Sequence, residues 1–264
     1  MYLAIAELRR RGDDAAQPGS RDLTHSLDLT PYELKVFSQN GEDGVLDEIL
    51  RRVGLERRLF VEFGAGTGAE GVCVYLADVA GWKGRLIEAD PTQFELLAPK
   101  YSMSSRVTAA CAAITPENVE SVFERLDVPE TFDVLSIDID GHDYWVWRAI
   151  EHYRPRVVVV EYNAHLGTEP LTMPLEVERA WDGTDYFGAS ITALRGLASE
   201  KGYELVHCDL SGVNAFFVRG ELVGDRFLAP PEVVLRAPNY KLQGRRHRPG
   251  GGRWVRVQPG PSQP

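Results

Sequence analysis

Leu59-Phe60-Val61-Glu62-Phe63-Gly64-Ala65-Gly66-Thr67-Gly68 reads as a buried strand running into a glycine-rich turn. The apolar residues give the strand. The three glycines let the backbone turn sharply and approach a ligand with no side chain in the way. Glu62 stands just before the turn, where an acid supplies negative charge to a cofactor carrying a positive group and suits a pyrophosphate less well. The chain is therefore read as built around a nucleoside-containing cofactor held at this turn.

Outward from this stretch, strands and helices alternate. A helix is expected near 68–80, a strand over 85–88 ending in Glu88, and a helix over 92–101. Further strands are expected at 107–114, 132–138 and 157–161, separated by helices over 116–126 and 144–153. Val157-Val158-Val159-Val160 is apolar throughout, as a strand buried on both faces must be. Residues 163–188 carry little periodicity, and a loop of that length in a compact domain usually serves function. A helix over 190–201 closed by Gly202 precedes two strands, 203–208 and 215–219, a hairpin length apart. The fold class expected is α/β, a Rossmann-like seven-stranded sheet with helices on both faces and right-handed crossovers.

Three regions follow from composition. Residues 1–34 form an N-terminal leader and helical cap, with polar turn clusters at Gly12-Asp13-Asp14 and Gln17-Pro18-Gly19-Ser20, and Thr30-Pro31-Tyr32-Glu33 as a helix start. Residues 35–228 form the main domain, and 229–264 a basic tail rich in Pro, Gly and Arg, expected to be an extended or disordered, solvated appendage. The formal net charge of −10 argues against wholesale nucleic-acid binding. That acidity is uneven, since no acid follows Glu232 while Arg236, Lys241, Arg245, Arg246, Arg248, Arg253 and Arg256 do. The three cysteines, Cys73, Cys111 and Cys208, have neither disulfide-framework nor zinc spacing, as in a cytoplasmic protein. The apolar run before Arg9-Arg10-Arg11 is too short for a secretion signal, and no stretch is long enough to span a membrane.

The turn alone leaves the cofactor open. Gly64-Ala65-Gly66-Thr67-Gly68-Ala69 also fits the dinucleotide pattern, with Glu88 where a ribose-binding acid belongs. Glu62, the closing hairpin and the lack of a separate substrate domain favour S-adenosyl-L-methionine over a nicotinamide. A second constellation is Asp138-Ile139-Asp140-Gly141-His142-Asp143 with Glu161-Tyr162-Asn163-Ala164-His165. The strand ends of an open α/β sheet line one crevice. Asp138, Asp140 and Glu161 there would suit Mg²⁺, which takes a few carboxylates and substrate oxygens. His142 or His165 could accept a proton at neutral pH. The structural alternative is that Asp140 and Asp143 cap the following helix. Of Trp145 and Trp147, two apart on a helix, one should face the core and the other a surface. Trp181, Tyr186 and Phe187 could form a lid or simply pack their loop.

Over residues 35–220 or so, the strand 61–68, Leu86-Ile87-Glu88, Asp133-Val134-Leu135-Ser136-Ile137-Asp138 and Gly202-Tyr203-Glu204-Leu205-Val206 resemble the class I S-adenosylmethionine-dependent methyltransferases. Gly41-Glu42-Asp43 and Ile137-Asp138-Ile139-Asp140-Gly141 look like the FkbM-type branch. Asp140-Gly141-His142 is similar, in compressed form, to a run in metal-dependent O-methyltransferases. The resemblance implies an enzyme that binds S-adenosyl-L-methionine through Gln39, Glu62, Gly64, Ala65, Gly66, Gly68, Glu88, Ala89, Ala112 and Asp138. It implies catalysis by His142, Asp140 and His165, Mg²⁺ on Asp138, Asp140 and Glu161, and a sugar or secondary-metabolite hydroxyl as methyl acceptor. An amine acceptor, a nicotinamide-dependent oxidoreductase, a non-catalytic cofactor-binding protein and a homo-oligomer all stay open at this point.

Overall fold

The strand β1 (Leu59–Phe63) is buried along its whole length and lies in the interior of the sheet. The computed structural model describes residues 3–8, 27–177, 181–228 and 236–258. β1 pairs in parallel with β2 (Lys83–Glu88) on one side and β4 (Thr131–Ile137) on the other. β3 (Val107–Cys111) extends the first side and β5 (Arg154–Glu161) the second, both parallel. After the two-residue strand β6 (Leu171–Thr172), the chain adds β7 (Tyr203–Cys208) and β8 (Asn214–Arg219). β8 runs antiparallel to both β5 and β7, which gives the order β3-β2-β1-β4-β5-β8-β7.

Both faces of this α/β sheet are covered, and the pleat divides the core in two. Leu59, Val61 and Phe63 of β1 point to one layer with Val158 and Val160 of β5 and the helices α4 (Val119–Arg125), α5 (Asp143–Ala149) and α6 (Ile191–Glu200). Phe60, Val157 and Val159 point to the other, with α1 (Glu42–Val53), α2 (Val74–Asp78) and α3 (Pro91–Tyr101). Alternation of neighbours along each strand is the period-two geometry of a doubly covered sheet. A short α7 (Gly220–Val223) follows β8. No helix among the described residues is long and apolar enough to cross a membrane.

Several local expectations shift, each for a visible reason. The helix expected over 68–80 shortens to α2, because the amides of Val72 and Cys73 are taken by Glu62 Oε1 at 2.8 and 3.3 Å. Thr30-Pro31-Tyr32 makes a single 3₁₀ turn, with Thr30 N–H donating to Asp28 Oδ1 rather than Thr30 capping a longer helix. α1 starts earlier than its apolar spacing suggests, at Glu42, with Glu42 and Asp43 in the first turn where acids oppose the helix dipole favourably. Of the leader, residues 3–8 are helical, and Leu8 and Leu29 are buried in the α1–α3 layer. The turn clusters at 12–14 and 17–20 lie outside the described residues. Trp147 is buried against Tyr203 and Phe217, while Trp145 is half-buried and donates to the Met173 carbonyl.

The largest departure is the tail. Residues 236–258 are not a solvated appendage but a strap laid along the loop 163–188. β9 (Val255–Arg256) pairs antiparallel with β6, and Thr184 bridges Arg248. Tyr186 Oη donates to the Arg253 carbonyl at 2.8 Å, and Arg253 and Arg256 pair with Glu176 and Glu169. A Cβ on Gly252 would stand 1.9 Å from the Tyr186 ring, so the glycines of the tail permit close packing rather than flexibility. Met173, Tyr186 and Phe187 form a small core of their own beneath this strap, with Trp254 against them.

Candidate functional site

The C-terminal ends of the parallel strands open on one cleft of about 1000 Å³. Its floor is the glycine turn. Gly64 has φ 74°, and a Cβ there would lie 1.8 Å from the Asp138 carbonyl oxygen, so β1 and β4 converge only because the residue has no side chain. The amides of Gly64 and Ala65 both donate to the Ile87 carbonyl, at 3.0 and 3.1 Å. Glu88, at the end of β2, accepts from Gly66 N–H at 2.6 Å and from Asp90 N–H at 2.7 Å. One carboxylate thus fixes the turn to the neighbouring strand and keeps further lone pairs for a ligand in the cleft it lines.

Glu62 sits behind the turn. Its Oε1 accepts the two amides before α2, while its Oε2 is buried without a hydrogen-bond partner. Burial pushes its pKa up to about 7; the two amides oppose that shift, and Asp43 and Glu42 add to it. A buried carboxylate oxygen in a ligand-sized cleft with no protein donor fits a donor group of a ligand, best a cationic one.

The polar segment before α1 is organised by its acids. Asp43 Oδ2 accepts the amides of Val36, Phe37 and Ser38 at 2.8, 2.9 and 2.8 Å and the Ser38 hydroxyl at 2.6 Å. Glu42 accepts from Asn40 N–H at 2.7 Å and from the Asn214 side chain at 2.9 Å. These bonds wind residues 36–40 around the helix start and bring Gln39 and Asn40 to the cleft.

Beyond β4 and β5 lies the acid group. Asp138, Asp140 and Glu161 each place one carboxylate oxygen within 4.8 Å of the others. The loop that carries Asp138 and Asp140 is held by Asp143, whose Oδ1 accepts Ile139 N–H at 2.9 Å and Oδ2 accepts Gly141 N–H at 3.0 Å. Asp140 itself takes a left-handed backbone, φ 58°, and makes no cap; His142 is the N-cap of α5, without a side-chain bond to it. Burial holds the carboxyls of Asp138 and Glu161 well above the usual range, with repulsion from Asp143 and Asp140 adding to it at Asp138 and repulsion from Asp138 and Asp143 adding to it at Glu161. Burial raises Asp140 too, with Glu88 adding to it. Glu161 Oε2 and His142 Nε2 are buried without partners. Three converging oxygens with an orphaned acceptor among them fit a hard divalent cation, which would relieve the crowding of charge.

Of the residues singled out from sequence, Gln39, Glu62, Gly64, Gly66, Glu88, Ala89, Ala112, Asp138, Asp140, His142 and Glu161 line this one cleft. Ala65 and Gly68 shape the turn from behind: Ala65 is 2% exposed, and Gly68 packs on Leu97. His165 is set back from the cleft, against the rings of Tyr240 and His247 at 5.9 and 5.8 Å. Burial lowers its pKa. Asn163 is fully committed elsewhere: its amide nitrogen donates to the carbonyls of Asp185 and Phe187, both at 2.8 Å, and its oxygen accepts His165 N–H at 3.0 Å. The side opposite the glycine turn is formed by Met173, Val177, Trp181 and Phe187 of the loop with Tyr240, Lys241 and His247 of the strap. The strap residues escaped the sequence reading, because a Pro/Gly/Arg-rich composition carries no periodicity that would place a side chain.

No protein-family profile and no curated protein sequence matches the chain. Many solved structures do. The methyltransferase domain of bacterial CtHen1-C shares 12% identity over 69% of this chain and 98% of its own, with a TM-score of 0.46. The N-terminal domain of EvdMO1, solved with S-adenosylhomocysteine bound, shares 14% over 69% and 80%, at 0.45. The CcbJ methyltransferase of Streptomyces caelestis shares 19% over 65% and 94%, at 0.39. These are distant superpositions, and the chemistry of the cleft rests on its own geometry.

Proposed function

We propose that this chain is an S-adenosylmethionine-dependent methyltransferase of the FkbM type, acting on a hydroxyl of a sugar or secondary metabolite. The observation that carries the reading is Glu88: its carboxylate ties Gly66 of the glycine turn to the end of β2 and opens on the same cleft as Glu62, whose Oε2 has no partner. The antiparallel β8 distinguishes the sheet from the all-parallel order of the dinucleotide-binding fold.

In this reading Glu88 accepts the ribose hydroxyls, and Ala112 and Ala113 at the end of β3 contact the adenine. Glu62 Oε2 meets the ammonium of the methionine part, with Gln39 beside it. S-Adenosylmethionine held there would supply a sulfonium methyl for transfer to the acceptor oxygen, without redox change and with the thioether as leaving group. The acceptor is oriented against Asp138, Asp140 and His142, and positioning supplies much of the rate. The proton leaving the acceptor oxygen passes to His142 Nε2. Asp138, Asp140 and Glu161 would hold Mg²⁺, which lowers the pKa of a coordinated hydroxyl. The three free cysteines suit a reducing, cytoplasmic setting.

Isothermal titration with S-adenosylhomocysteine tests this, run with Mg²⁺ and after chelation, and beside a titration with reduced nicotinamide dinucleotide. S-Adenosylhomocysteine should bind in both conditions, and a separate Mg²⁺ titration should show a site lost in Glu161→Gln. Binding of the nicotinamide in place of S-adenosylhomocysteine would overturn the reading.

A further inference from the structure

We propose that the strap 236–258, together with Trp181 of the loop it is laid along, is the acceptor-binding wall, on which the ring of the acceptor stacks against His247, Tyr240 and Trp181. The inference deepens the methyltransferase reading and rests on it for the identity of the second ligand.

The wall is a cluster of rings. His247 stands 4.3 Å from Tyr240, 4.9 Å from Trp181 and 5.6 Å from Phe187, measured between ring centroids. Trp181, Phe187, Tyr240 and His247 all line the cleft that holds Glu88 and the acid group. Trp181 remains 39% exposed, although its indole nitrogen is satisfied by the Thr184 carbonyl at 2.8 Å. A large ring face is therefore open while its polar edge is already used. Burial lowers the pKa of His247, which leaves a neutral ring suited to stacking.

A second observation points to a ligand. Tyr240 Oη is buried and has no hydrogen-bond partner. Buried hydroxyls are satisfied in native proteins, so this one marks the place of a group the cleft receives. The strap is also held in a costly conformation beside it. Lys241 and Leu242 follow Tyr240 with φ of 55° and 53°, values that are disfavoured for residues with long side chains. Backbone strain of this kind persists where the surroundings over-determine it, and it gathers at ligand sites. The fit is to a ring with a broad apolar face and an attached hydroxyl pair. The face lies on the aromatic wall, and the hydroxyls reach Tyr240 and the carboxylates of Asp138 and Glu161. A phenolic ring and a saccharide share that chemistry.

The test uses two probes, catechol and methyl α-glucopyranoside, titrated into the full chain with Mg²⁺, with and without S-adenosylhomocysteine. Ligand-observed NMR and tryptophan fluorescence give the readout. At least one probe should bind, and its identity assigns the ring as phenolic or saccharide. His247→Ala should weaken that probe by about fivefold to tenfold, the range of a ring–ring contact. His247→Phe should retain most of the affinity, and Tyr240→Phe should weaken the probe while leaving the stack. Affinity for S-adenosylhomocysteine should stay within about twofold in all three variants, which also reports that they fold. Failure of S-adenosylhomocysteine to bind would strike the methyltransferase reading alone, because the probes are titrated without it as well. Binding of neither probe to the unaltered chain, or equal probe affinity in His247→Ala, would overturn the wall.

Discussion

The cleft has two sides built by different means, one proposed above for the cofactor and the other for the acceptor. The cofactor side comes from short stretches where a strand meets its turn: 62–71, 88–89 and 112–114, with 39–42 beside them. Each positions itself by bonds across a few residues or between adjacent strands, as Glu88 does to Gly66. The acceptor side joins residues 163–188 to 236–258, and its parts meet through side chains that reach distant backbone. Asn163 clamps the carbonyls of Asp185 and Phe187, and Tyr186 holds Arg253. The contrast is between a side encoded locally, at the ends of sheet strands, and one assembled from distant segments with little regular structure of their own. Stability and cofactor binding should therefore separate under mutation.

The largest effect should come from Asn163→Ala. It removes three hydrogen bonds and leaves the buried Phe187 carbonyl and the half-buried Asp185 carbonyl without that partner, a loss of about 3 kcal/mol in unfolding free energy. Denaturant titration reads that loss, while affinity for S-adenosylhomocysteine should move by no more than about twofold. An equal loss of cofactor affinity would break the separation. Glu88→Ala is the complementary test on the other side: it should weaken S-adenosylhomocysteine about 100-fold, roughly 3 kcal/mol, by removing charged acceptors from the ribose. Probe binding at the aromatic wall should survive it.

Glu62→Gln should have an intermediate effect with a pH signature. Burial holds the pKa of Glu62 at about 7 in the native state, above the ordinary glutamate value of 4.5. The native state therefore holds the proton more tightly than the unfolded one, so this group lowers stability progressively as pH rises from about 4.5 to 7, and by a constant amount above. Glu62→Gln removes that cost and should stabilise the ligand-free chain at pH 8 by about 2 kcal/mol. A cationic ligand prefers the ionised carboxylate, so cofactor affinity should rise between about pH 6 and 8 in the unaltered chain and stay flat in Glu62→Gln. The smallest effect belongs to Lys35→Ala, which breaks an exposed ion pair to Glu70 of 3.4 Å. It should change stability by less than about 0.5 kcal/mol.

The same contrast explains how far the sequence could be read. Strand apolarity, the glycine turn, Glu88 and the acids of β4 and β5 are local signals, and they placed the sheet and eleven of the named residues on one cleft. The helix after the turn was overextended because nothing in 68–73 announces that Glu62 takes its first amides. Asp140 and Asp143 looked alike as caps, and only the backbone shows that Asp143 holds the loop while Asp140 is turned to the left-handed region. The strap was hidden for a different reason. Pro249-Gly250-Gly251-Gly252 has the composition of a flexible tail, and its glycines acquire meaning only when Tyr186 lies against them. Contacts at such sequence separation leave no periodic trace.

The most direct test of the central claim is a crystal structure of the chain with S-adenosylhomocysteine. The ribose hydroxyls should lie within hydrogen-bond distance of Glu88, the amino group should face Glu62 Oε2, and the sulfur should point towards Asp138 and His142. A ligand bound elsewhere, or one whose ribose is held without Glu88, would contradict the assignment.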